Sequence, residues 1–325
     1  MTTAWSTPGG AVLGTAGASA EGFGDAVGAF IVCALLLVLS GLWPALGRLA
    51  SSIPTPVAQA MLAGVLLPLC MKAVTGLETS PGAVIPVLVV WLAGTVLVPR
   101  WAVPLTFLTA GVVIAVHLLI DDAASLDTAA MAPHMEFTTP TFSVGAVVGI
   151  ALPLYVVTMA SQNLPGVAVL KTFGCDTPWK DALVTTGVGS LLVAPAGGSA
   201  INLAAISAAL SADPATGVAK DLRWRNAVWS GSTYLVLAVS AAAVVALAAS
   251  APVGLLAAVA GVALLGAFGG AVQGAWSEEP LRLPAIVTFL VAASGTTFFG
   301  IGAAFWALVA GVVVVGITAA GSRRR

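Results

Sequence analysis

Residues 191–210 read LLVAPAGGSAINLAAISAAL: the end of an apolar run, Pro195, the pair Gly197-Gly198, and then a stretch of small residues. Pro195 removes a backbone donor and disfavours helix immediately upstream, while two glycines in a row let backbone or ligand approach closely. Residues 2–17, TTAWSTPGGAVLGTAG, carry the same arrangement at Pro8, Gly9 and Gly10. Each reads as a broken helix, an extended stretch followed by a half-helix opening at the glycines. Within a membrane, non-helical backbone persists only where protein or a cavity covers it. A half-helix that begins there turns unpaired N–H groups and a positive dipole end into the cavity. Two such ends favour an anion. Taken singly, either segment is equally well read as a Gly/Pro kink for tight packing. The occurrence of both, in opposite orientation, favours a site, because paired interrupted helices mark the binding region of inverted-repeat carriers.

Working outward, the composition makes lipid the surrounding medium. Of 325 residues, 59% are hydrophobic and 8% charged, with a mean hydropathy of +1.06, against roughly one-quarter charged residues in soluble domains. Charges cluster between apolar runs of the length a helix needs to cross a core of about 30 Å. Strands of a closed barrel would alternate apolar and polar residues, and runs such as 26–39 do not, so the fold is expected to be helical. The runs fall near 3–18, 24–43, 57–73, 83–98, 102–120, 143–163, 183–194, 197–211, 227–249, 254–272, 284–296 and 299–318. That predicts twelve membrane segments, of which 3–18 and 197–211 are too short to cross as plain helices. Gly-rich stretches 261–270 and 295–302 read as helix-packing surfaces.

Orientation follows from Lys and Arg placement. With a cytoplasmic N-terminus, Arg48, Arg100, Lys171, Lys180, Lys220, Arg223, Arg225, Arg282 and the terminal Arg323, Arg324 and Arg325 all fall inside, and Lys72 alone falls outside. Both chain ends are then cytoplasmic, and the polar loop 121–142 lies outside. No signal-peptide pattern opens the chain. A net charge of −1 provides no field for nucleic acid.

The stretch LPLYVVTMASQNLPGVAVL, residues 152–170, places the neighbouring amides Gln162 and Asn163 in an apolar span bracketed by Pro153 and Pro165. Buried amides need hydrogen-bond partners, either a ligand or another helix. Asn202, four residues after Gly198, is expected to project from the first turn of the second half-helix toward the same cavity. All thirteen Asp and Glu residues fall in loops or near segment ends, so no buried carboxylate presents itself as a proton relay. His117 reads as a satisfied interface histidine, and His134 lies in the outer loop. Cys33, Cys70 and Cys175 lack metal-ligand spacing. No nucleophile triad, paired acids, HExxH or phosphate loop converges in the membrane, so no enzyme, cofactor or metal is expected.

At TTAWSTPGGAVL (2–13), MASQNLPGVAVLKTFG (159–174), APAGGSAINLAAISAA (194–209) and ASGTTFFGIGAAFWALVAG (293–311), the sequence resembles the benzoate:proton symporter family of bacterial inner membranes, over essentially its whole length. The resemblance implies the uracil-transporter fold, with fourteen helices in two inverted repeats of seven, divided into a substrate-holding core and a gate. In that fold two short strands, each followed by a half-helix, hold the substrate beside a third helix. Those parts match 3–18, 195–211 and 143–163. It also implies two further helices ahead of the AWSTPG motif. A start assigned downstream of the true one and a genuinely shortened copy both account for their absence, and the intact remaining motifs favour the first. On this reading 1–120 holds the incomplete N-terminal repeat, 121–142 the outer loop and 143–325 the C-terminal repeat.

The resemblance thus implies a carrier importing benzoate or a related aromatic carboxylate with a proton. The residues expected to hold the substrate are Ser6, Thr7, Gly9, Gly10, Tyr155, Gln162, Asn163, Gly197, Gly198 and Asn202, with Tyr155 beside the ring. A nucleobase or inorganic-anion carrier of the same fold is the alternative within transport, and a non-transporting membrane protein the alternative outside it. A homo-oligomer is left open.

Overall fold

Apolar runs form helices because backbone groups surrounded by hydrocarbon have to pair within the chain. The computed structural model describes residues 3–6, 22–43, 45, 53–120, 131–133, 135–212, 218–299 and 301–322. Thr7, Gly9 and Gly10, where the first half-helix is expected, lie outside the described residues. The helices α1 (Phe23–Leu42), α2 (Thr55–Thr79), α3 (Pro81–Leu97) and α4 (Ala102–Ile120) fall on the runs expected near 24–43, 57–73, 83–98 and 102–120. Later in the chain come α6 (Trp179–Val193), α7 (Ala205–Ala212), α8 (Trp224–Ala249), α9 (Leu255–Ala275), α10 (Arg282–Ala293) and α11 (Ala303–Ser322).

Between these groups lies α5, which runs on past the expected end near 163. It joins the α segments Val144–Ala146, Leu152–Thr158 and Leu164–Thr172 through the wider π turns Val147–Ala151 and Met159–Asn163. Each π turn comes just before a proline, Pro153 and Pro165, in the second position of the next α segment. A proline lacks the N–H and crowds the carbonyl one turn back, and a widened turn relieves both. The helical path therefore passes both prolines without ending.

Among the described residues, seven stretches are long and apolar enough to cross a membrane: Phe23–Leu42, Thr55–Thr79, Pro99–Ile120, Val144–Lys171, Lys220–Ala249, Leu255–Ala275 and Ala303–Ala320. Pro81–Leu97 is a shorter apolar helix. The chain is a polytopic helical membrane protein.

The chain divides into two compact units, each discontinuous in sequence. One comprises Met1–Val65, Glu136–Ser230 and Gly270–Arg325. Its main core packs Phe30, Cys33 and Leu37 of α1 with Ile150, Leu154, Tyr155 and Met159 of α5 and Leu183 of α6. At the crossing of α1 and α6, a side chain on Gly187 would strike Val38 and the Ala34 carbonyl, so glycine there sets the helix spacing. A second cluster joins Ala60, Ala275 and Ala285, beside an edge-on Trp276–Phe289 ring pair. The other unit comprises Leu66–Met135 and Gly231–Gly269 and packs Val87, Ala110, Ile114, Leu255 and Val259. The packing surface expected over 261–270 narrows to Gly261, which meets the backbone of Leu69, Cys70 and Ala73, whereas Gly266, Gly269 and Gly270 face open space.

Candidate functional site

Two three-residue strands sit among the helices of the first unit. β1 (Thr3–Trp5) and β2 (Ile201–Leu203) are antiparallel, with Thr3 opposite Leu203, Ala4 opposite Asn202 and Trp5 opposite Ile201. The pairing continues through Ser6, whose N–H donates to the Ala200 carbonyl at 2.9 Å. So short a sheet leaves strand N–H groups that hydrocarbon cannot satisfy, and neighbouring side chains take them. The Ile201 N–H donates to Ser190 Oγ of α6 at 2.8 Å, and the Leu203 N–H donates to Asn163 Oδ1 of α5 at 2.9 Å.

Asn163 is fully buried, and its Nδ2 rests on Met159 Sδ at 3.4 Å. Its partner is therefore the backbone of β2. Asn202 is also fully buried. In the amide orientation that suits its neighbours, it accepts from the Ser6 N–H at 3.2 Å and donates to the Leu203 carbonyl at 3.0 Å. Ser6 Oγ shares a hydrogen bond of 3.0 Å with Thr158 Oγ1 of α5, both residues fully buried. Ser6, Thr158, Asn163 and Asn202 thus form one polar seam binding the strand pair to α5. Gln162, one residue from Asn163, is half-buried and has no hydrogen-bond partner among the described residues. It sits in a π turn, a feature frequent at functional sites.

Two expectations about the second broken segment are corrected. Gly197 and Gly198 do not open a half-helix; they close α6. After the 3-10 turn Ala194–Ala196, Gly197 takes φ +80°, its N–H donates to the Ala194 carbonyl, and the Gly198 N–H donates to the Val193 carbonyl, both at 2.9 Å. This is the paired-bond termination that favours glycine in the left-handed position. The half-helix α7 opens at Ala205, so Asn202 lies on the preceding strand and not in a first helical turn. Glycine signals start and stop alike, and the backbone count after it decided which.

Tyr155 lies in the apolar core, and its hydroxyl pairs with Ser40 Oγ of α1 at 2.5 Å, while Ser40 also donates to the Leu36 carbonyl. The reading from sequence missed Thr158, Ser40 and Ser190, which carry no motif of their own. It also missed a buried acid. Asp25, in the first turn of α1 and 7% exposed, accepts from Thr141 Oγ1 at 2.5 Å. The segment bearing Thr141 crosses both α1 and the end of α6, since the Thr141 N–H donates to the Gly24 carbonyl and the Thr138 N–H to the Pro195 carbonyl. Among the described residues no cluster of metal-ligating side chains occurs.

The sequence that forms this strand pair and α5 lies within a stretch that matches proteins of other organisms. A family profile described as "Benzoate membrane transport protein" matches residues 1–317. The chain is 39% identical to the Inner membrane protein YdcO of Escherichia coli over 311 residues, covering 96% of this chain and 78% of that protein. It is 34% identical to the Benzoate membrane transport protein of Acinetobacter baylyi over 313 residues, with the same coverage of each. The matched stretch takes in the strand pair, α5 and nearly all of the closing helix, and the chain belongs to the benzoate membrane transport protein family.

Proposed function

We propose that this protein is a secondary carrier of the bacterial inner membrane that imports benzoate or a related aromatic carboxylate together with a proton. The observation that carries the reading is the β1–β2 pair, whose Asn202 and Leu203 are buried, which the Ser6–Thr158 and Leu203–Asn163 hydrogen bonds hold to α5 and which α7 follows directly. The relative named as a benzoate transporter, and the family itself, supply the substrate class. The substrate lies between the stretch after Ser6, with Thr7, Gly9 and Gly10, and the stretch from Gly197 and Gly198 to the start of α7. Half-helix N-termini face its carboxylate. Gln162 offers a polar group of α5 that has no partner among the described residues, Tyr155 shapes the apolar side, and Asn163 and Asn202 keep the strands in place.

A carboxyl of this kind titrates near the range of side-chain acids, about pH 4, so the anion predominates outside and an inward proton gradient can drive its uptake. The architecture we infer has twelve membrane segments in two inverted repeats, 1–120 and 143–325, joined by the outer loop 121–142, with both ends cytoplasmic. Cells expressing the chain are expected to accumulate labelled benzoate above a vector control, and a protonophore is expected to abolish the difference. No uptake with the protein present in the membrane would overturn the substrate; uptake that the protonophore leaves intact would overturn the coupling.

A further inference from the structure

A cavity of about 210 Å³ lies apart from the strand pair, where the loop after α5 meets the turn leading into α8. Its wall includes Asp176, Thr177, Lys220, Asp221, Arg223 and Trp224. The space far exceeds the roughly 10–15 Å³ that admits one water. Two acids and two bases thus share one small wall, yet the side chains of Asp176, Lys220 and Asp221 make no hydrogen bond or ion pair among the described residues. Thr177 Oγ1 is buried there with no partner among the described residues, and a buried hydroxyl left unpaired beside charged side chains calls for a water or a ligand atom. Arg223 differs: its Nε donates to the Val218 carbonyl at 3.2 Å and its Nη1 to the Ala212 carbonyl at 2.7 Å. Those bonds fix the guanidinium at the wall, at the end of α7, and among the described residues its Nη2 hydrogens have no acceptor.

The charge pattern selects the ligand. A plain anion would face two carboxylates, a plain cation two bases, and an apolar molecule would strand all four. A zwitterion with its opposite charges a few bonds apart meets every group. The place agrees with a headgroup: one candidate span ends at Lys171 and another begins at Lys220, so the cavity lies where apolar spans end. Trp224 beside it is exposed, as aromatic residues at a membrane–water boundary commonly are.

We propose that this cavity binds a zwitterion carrying an ammonium and a phosphate, the chemistry of an ethanolamine phospholipid headgroup or its water-soluble glycerophospho form. The phosphate meets Lys220, Arg223 and Thr177, and the ammonium meets Asp176 and Asp221. Occupancy then ties together the ends of α5 and α7, the helix that carries Gln162 and Asn163 and the helix that follows β2. The inference does not depend on which substrate is carried.

Thermal unfolding of the purified chain in detergent tests it, with dioleoylphosphatidylethanolamine, dioleoylphosphatidylglycerol or glycerophosphoethanolamine added. The ethanolamine lipid is expected to raise Tm by about 3–6 °C at roughly one hundred times its dissociation constant, and the glycerol lipid, which has no ammonium, to leave it unchanged. A double variant, Asp176→Asn with Asp221→Asn, is expected to lose the rise while keeping the lipid-free Tm, since neither side chain has a hydrogen-bond or ion-pair partner among the described residues. A rise with glycerophosphoethanolamine identifies the headgroup alone as sufficient; a rise with the lipid only assigns part of the binding to its chains. An equal rise with both lipids, no rise with any addition, or a double variant that keeps the rise would overturn the proposal.

Discussion

Gln162 and Asn163 are neighbours of similar chemistry with separate duties. Asn163 Oδ1 is the partner of the Leu203 N–H, so Asn163→Ala strands a buried donor. Unfolding of the purified variant is expected to show a loss of about 1–3 kcal/mol. Gln162 supports no other group among the described residues, so Gln162→Ala is expected to leave stability unchanged and to weaken benzoate binding roughly ten- to a hundredfold, the worth of one hydrogen bond to a charged ligand. Titration calorimetry separates the two, and wild-type affinity in Gln162→Ala would return that residue to a structural role. Neither duty was legible in the dipeptide. Adjacent residues on a helix point about 100° apart, and the π turn alters even that spacing.

Among elements, the seam between β1 and α5 rests on a bond between residues 152 positions apart, Ser6 and Thr158. A double-mutant cycle of Ser6→Ala and Thr158→Val, read by unfolding, is expected to give a coupling of about 0.5–1.5 kcal/mol; additive effects would mean that the hydroxyls do not support one another. The end of α6 is equally specific. A Cβ on Gly198 would lie 2.5 Å from Val193 Cγ2 and 3.0 Å from the Val193 carbonyl oxygen, whereas a Cβ on Gly266 would meet nothing within 4 Å. Gly198→Val is therefore expected to lose both transport and thermal stability, and Gly266→Val to keep both. The loss at Gly198 reports the cap of α6, not a side chain obstructing a carboxylate. Pro and Gly made the interruption at 195–198 legible; their order along the chain could not say that the glycines finish one helix seven residues before the next begins.

Across the whole molecule, the three cysteines offer a test of orientation. Cys33 and Cys70 are buried, while Cys175 is half-buried in the loop between Lys171 and Lys180. A membrane-impermeant maleimide is expected to label Cys175 in inside-out vesicles and to leave all three thiols unmodified in intact cells. Labelling of Cys175 in intact cells would reverse the topology. The membrane class and the positions of most of the described helices were readable from contiguous residues, because hydropathy, proline and glycine act through local backbone geometry and through transfer from water, which sums along the chain. The duties within the site were not. Asn163 serves a strand forty residues away, Tyr155 closes on Ser40 across 115 residues, and Asp25 is covered by Thr141. A buried polar group takes whatever partner folding brings within about 3 Å, and that proximity exists only once distant segments have packed.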